Sequence, residues 1–227
     1  MKTKYFLPVA AILFAACSEL PTSAPDLTIS AGKQTQPPPS APGETFDNGI
    51  ASLGAWTPLQ LATSPGTSAK ASTGFLGRFG DEVVSLSVPA GMSSVTVSFD
   101  LYIIGTWDGA GQQGFGSDRW QIEVSKNGGA RQNLFHTSFS NQATKPQNFP
   151  KQIDLGTSPN DKGALMINAL GYPKASGKYD VGDAIYHLSY TVSNPGSTAL
   201  VFYFHRTTPS QDLNDESWGL DNVSVSN

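Results

Sequence analysis

Apolar residues in this chain recur at every second position, and that period leaves few folds open. Val95, Val97, Phe99, Leu101 and Ile103 share one face, with Thr96, Ser98 and Asp100 on the other. Trp120, Ile122 and Val124 alternate with Gln121, Glu123 and Ser125. Tyr186, Leu188, Tyr190 and Val192 alternate with polar residues, as do Leu200, Phe202 and Phe204 with Val201, Tyr203 and His205. The segments 83–88 and 223–225 follow the same rule. Side chains on a strand point alternately to opposite faces, so each segment predicts a strand with one buried side. No segment sustains a helical period. Asn127-Gly128-Gly129 predicts a tight turn from strand 120–126 into a partner near 130–139. Asn194-Pro195-Gly196 predicts the link between strands 185–193 and 198–205. About seven to ten strands of this kind predict an all-β fold, two antiparallel sheets packed as a jelly-roll sandwich. Residues 140–183 are turn-rich and weakly periodic, and are expected as loops at one rim.

Composition agrees. Charged residues are 14% of the chain, well below the roughly 25% usual for globular domains. The chain has 23 glycines and 16 prolines. Its formal charge is −4 and no basic stripe occurs, which argues against nucleic acid as a partner.

The N-terminus reads as an export signal. Lys2 and Lys4 precede an apolar stretch from Tyr5 to Ala16, which is too short to span a bilayer. Ala15 and Ala16 stand before Cys17, the chain's one cysteine. The run Phe14-Ala15-Ala16-Cys17 resembles a lipoprotein signal, although leucine is usual where Phe14 stands. The resemblance implies cleavage before Cys17, lipid on its sulfur and anchorage in a membrane. Ser18 after the cysteine favours the outer membrane or cell surface. The other reading is an ordinary cleaved signal that leaves Cys17 as a free thiol. Residues 18–43 hold six prolines and no aromatic residue, and are expected to be a disordered, extended tether. The domain is expected over residues 44–227.

Four passages resemble extracellular jelly-roll domains of the concanavalin and carbohydrate-binding-module type. They are Phe75-Leu76-Gly77-Arg78-Phe79, the run from Ser98 to Asp108-Gly109, Asp118-Arg119-Trp120, and Glu216 to Val223. In such modules the first and last strands meet, and acids near each can share a structural calcium. The resemblance therefore implies a calcium site between Asp47 and Asp221. A second acidic set, Asp108 and Asp118 with Asp215 or Glu216, flanks a glycine-rich loop and offers oxygen ligands of the kind calcium takes. Related sequences often carry an acid two residues before the Trp107-Asp108 pair, where this chain has Gly105. The plainer reading is that these acids cap turns and solvate loops.

Aromatic faces stack on sugars. Trp107 is the best candidate for an exposed ligand contact, with Tyr172 and Tyr179 as helpers. Trp120 and Trp218 lie in strands and are expected in the core. A catalytic reading finds little support. No Gly-x-Ser-x-Gly elbow occurs, and His136, His187 and His205 lack zinc spacing. The expectation is a surface-anchored lipoprotein carrying a non-catalytic module for glycan or another extracellular polymer. A structural or adhesive envelope protein that binds another protein is the rival. A glycoside hydrolase would require two carboxyl groups about 5–10 Å apart in a cleft.

Overall fold

The computed structural model describes residues 29–30, 45–47, 55–111, 117–173, 182–209 and 212–227. Twelve strands follow in chain order: β1 (Ile29–Ser30), β2 (Trp56–Thr57), β3 (Leu61–Thr63), β4 (Gly74–Phe79), β5 (Val84–Val88) and β6 (Ser94–Gly105). Then come β7 (Arg119–Lys126), β8 (Gln132–Ser138), β9 (Met166–Ile167), β10 (Asp183–Ser193), β11 (Leu200–Arg206) and β12 (Glu216–Ser226). No α-helix occurs among the described residues.

The strands form two antiparallel sheets. The larger has the order β1-β10-β6-β12-β4-β3, with β9 also on β10; the smaller has the order β2-β5-β11-β7-β8. Among the eight longer strands, only β7 and β8 are joined as a hairpin, through the turn at Asn127 and Gly128, both at positive φ. The other connections among the eight longer strands cross from one sheet to the other. With β4-β12-β6-β10 facing β5-β11-β7-β8, this is jelly-roll connectivity.

The period-two residues seal the space between the sheets. Phe99, Leu101 and Ile103 of β6 meet Ile122 and Val124 of β7 and Phe202 and Phe204 of β11, all buried in one cluster. Trp120 sits centrally, with the rings of Phe99, Phe204 and Trp218 at centroid distances of 5.9, 6.3 and 6.2 Å. Fully burying one such side chain contributes roughly 2–3 kcal/mol. The strands thus stand close to where the alternation places them. Two elements lack that signal. β4 reads Gly-Phe-Leu-Gly-Arg-Phe, and β12 begins at Glu216, seven residues before the Val223–Val225 pattern.

Residues 140–183 depart from the expected rim loops. Within them Ala169 and Leu170 lie on the outer face of the larger sheet, where they bury Phe75, Tyr102, Ile104 and Ile185 in a second apolar cluster. The reason lies in β6 and β10, which turn apolar on both faces near Ile104 and Ile185 and require a cover. Gly219 makes room for this layer. A Cβ there would lie 2.5 Å from the Phe75 ring. Within the expected tether, only Ile29 and Ser30 are described, paired with Val192 and Thr191 of β10. Cys17 and the export signal lie outside the described residues.

Candidate functional site

The acids expected to hold calcium at the rim do gather, but around a cation supplied by the chain. β11 places Leu200, Phe202 and Phe204 inward, and the same period carries Arg206 inward after them. Arg206 Nη2 donates to Asp118 Oδ1 at 3.0 Å and to Glu216 Oε2 at 2.7 Å. Its guanidinium carbon lies 4.6 Å from the centre of the Trp107 ring. Asp118 Oδ2 also accepts the Asp108 amide. Burial pushes the Glu216 carboxyl up to about 8, and the adjacent Asp118 charge adds to that. Burial also raises Asp118, against the opposing pull of the Asp108 amide and Arg206.

Asp108 and Asp215 face elsewhere. Asp108 Oδ1 pairs with Lys145 Nζ at 2.7 Å and accepts from Gln142 Nε2. Asp215 accepts from the Thr106 amide and hydroxyl. This clamp explains Gly105. With φ at +92°, it presses against the Asp215 carbonyl, so a side chain at position 105 has no space. An acid there is excluded by packing.

Asp47 and Asp221 are likewise occupied. Asp47 Oδ1 accepts from Thr73 Oγ1 at 2.9 Å and from the Gly74 amide at 2.7 Å. Asp221 Oδ2 accepts from the Tyr102 hydroxyl at 2.5 Å, and its Oδ1 from the Asn222 amide at 2.8 Å. Burial lifts Asp221 to about 6, and these two donors hold it down. Asn222 adopts φ of +50° where the pairing of β12 with β6 shifts register, and its Nδ2 reaches Asp100 Oδ2 at 2.7 Å. Among the described residues, no group of three or more His, Cys, Asp or Glu side chains is spaced to hold a metal ion. In both sets protein donors, Arg206 among them, already bond to the carboxylate oxygens.

The expected exposure of Trp107 is corrected. Trp107 is fully buried, its Nε1 donating to Ser217 O at 3.1 Å, so no ligand reaches its face. Tyr172 packs against the outer apolar cluster beneath the Arg78 guanidinium, 5.2 Å from the ring centre. Tyr179 lies outside the described residues.

Among the described residues a groove that the sequence reading missed opens at the end of β10 beside β9. It measures about 130 Å³ and is lined chiefly by Asn141, Asn160, Asp161, Ile167, Asn168 and Asp183. Asp183, the first residue of β10, fixes one wall: its Oδ1 accepts the amides of Ala169 at 2.7 Å and Leu170 at 2.9 Å. Asn168 and Asp161 both take φ of +53°, a conformation that Asn and Asp tolerate better than most side chains. Asn141 reaches the groove from the opposite side. Its Nδ2 donates to Ile103 O at 3.3 Å and Gly105 O at 3.1 Å, which settles the amide's orientation. Its Oδ1 then has no donor, although Asn141 is only 7% exposed. Asn160 Nδ2 donates to Asp161 Oδ2 at 2.6 Å, and burial raises the Asp161 carboxyl above its usual range. Leu165, Met166 and Ile167 border the groove and are 50%, 37% and 54% exposed. The available signal was the density of Asn and Asp in 140–183. It could not be read, because the residues are brought together by the wrap over the sheet and not by spacing.

The chemistry of the groove is hydrogen bonding. It offers amide and carboxylate groups and one apolar wall. The one close carboxyl pair described above, Asp118 with Glu216, is sealed inside the sandwich.

By sequence, the chain matches no family model and no curated protein. Two solved structures resemble it in shape. One is the K1 cleaved adhesin domain of Lys-gingipain from Porphyromonas gingivalis W83, at 14% identity and a TM-score of 0.40, covering 81% of this chain and 96% of that one. The other is the K2 cleaved adhesin domain of Lys-gingipain, at 12% identity and a TM-score of 0.39, covering 82% and 97%.

Proposed function

We propose that the protein is a non-catalytic binding module, displayed outside the cytoplasm by lipid on Cys17, whose groove beside β9 takes a glycan of an extracellular polymer. The groove carries the reading. Convergent Asn and Asp side chains match the hydroxyl groups of a sugar ring, and Ile167 supplies an apolar wall for its carbon face. The sealing of Asp118 and Glu216 under Arg206 speaks against hydrolysis, because neither water nor sugar reaches the pair.

Retention of the purified protein on a panel of polysaccharides tests this. Asn160→Ala should weaken retention about tenfold, the loss of roughly one good hydrogen bond to ligand. Absence of retention on every polysaccharide would remove the glycan reading. Anchorage is tested separately: labelled fatty acid should enter the wild-type protein and not Cys17→Ser.

A protein partner is the second reading, and one observation favours it. Leu165, Met166 and Ile167 are consecutive, exposed and lie on or beside the edge strand β9. A single stoichiometric protein co-purifying with wild type and lost from Ile167→Lys would decide for it.

A further inference from the structure

We infer that the groove beside β9 selects a sugar bearing a free, protonated amine over neutral and acidic sugars. This rests on the glycan reading and narrows it. Three observations carry it. First, Asp161 takes one side-chain donor, on Oδ2 only, which leaves Oδ1 as an acceptor. Second, its chief lining residues include two aspartates and no Lys, Arg or His. Third, no cation among the described residues pairs with Asp161. Burial disfavours its charge, and the one opposing influence is the neutral Asn160 amide.

These conditions differ from those of the other buried acids. Asp118 and Glu216 share Arg206, Asp108 has Lys145, and Asp183 spends Oδ1 on two backbone amides. Asp161 alone among them faces an open space with a carboxylate oxygen to spare. An ammonium group is a donor without acceptor capacity and carries the missing charge. A hydroxyl supplies one donor but leaves the charge unmet. A uronate or sulfate group would meet Asp161 and Asp183 with like charge.

The test is calorimetric titration of the full protein with three oligosaccharides: deacetylated glucosamine, its N-acetylated counterpart and a uronate polymer. The pH is held where the amine is protonated. Two variants accompany the wild type. Asp161→Asn keeps the shape and tolerates the positive φ. Asp154→Asn makes the same charge change beside His136, on the other sheet. The expected result is at least tenfold tighter binding of the amine form than of the N-acetylated form. Asp161→Asn should abolish that preference, Asp154→Asn should retain it, and added salt should weaken it. Equal binding of the amine and N-acetylated forms, or an unchanged preference in Asp161→Asn, overturns the inference and leaves the glycan reading standing. Binding of none of the three, with no retention on the wider panel, removes both. A lysine peptide or calcium chloride that binds in place of the amino sugar also overturns the inference, since the groove would then serve a protein or a metal ion.

Discussion

Replacing Glu216 with glutamine should stabilise the protein at alkaline pH and flatten its pH dependence. Glu216 is 4% exposed, and burial together with Asp118 lifts it from 4.5 to about 8. The folded state therefore holds a proton that the unfolded state has released across that window. The stability from this proton is complete below the unfolded value and is lost as pH rises toward 8. Below neutrality the reading is mixed. Burial lowers His136, whose contribution runs in the opposite sense below about 6.5, and Asp221 titrates near 6. The interval from 6.5 to 8 isolates the Glu216 pair. There the loss is about 1.4 kcal/mol per unit, or about 2 kcal/mol in all. For a domain of this size that lowers Tm by roughly 4–8 °C. The glutamine amide would mimic the protonated acid, donating to Asp118 while its carbonyl oxygen accepts from Arg206. Thermal melting of wild type and Glu216→Gln at pH 6.5 and 8 measures the effect. Wild type should lose several degrees and the variant almost none. A wild-type Tm that rises with pH, or a variant with the same slope, would refute the buried-proton argument.

Three further outcomes follow from the packing. Gly105→Ala should cost about 3 kcal/mol or more in urea unfolding, since it forces a side chain at φ +92° against the Asp215 carbonyl. Trp107→Ala should lower stability by roughly 3–5 kcal/mol, yet leave polysaccharide retention unchanged at low temperature, because the ring is core. Tyr102→Phe removes a donor from Asp221 and should cost about 1–3 kcal/mol. That penalty should be larger at pH 8 than at pH 5, because Asp221 titrates near 6 and only its charged form needs the donor.

Much of the sandwich was legible because alternation is a local signal. β6, β7, β10 and β11 each announce their buried face through bare spacing, and the Asn127-Gly128 turn fixes one hairpin. β4 was illegible as a strand because its outer face is apolar as well, with Phe75 beneath Leu170 and Tyr102. The acids stand out as a set, and Asp118 does meet Glu216. Their partner is hidden because Arg206 reads as the hydrated end of a strand, although it continues the inward register of Phe202 and Phe204. Trp107 misleads for a related reason. Unlike Trp120 and Trp218 it lies outside the alternating strands, which suggests exposure, whereas its indole N–H finds Ser217 O within the core. The groove depends on residues from 141 to 183 meeting after a long wrap, and no short-range pattern encodes that meeting.

Side-chain amide signals of the labelled protein, followed by NMR during titration with a retained oligosaccharide, probe the groove itself. Binding there predicts that the NH₂ resonances of Asn141, Asn160 and Asn168 move together and saturate at one affinity. Movement confined to Asn133 and Gln121 on the smaller sheet, with those three asparagines unmoved, would contradict it.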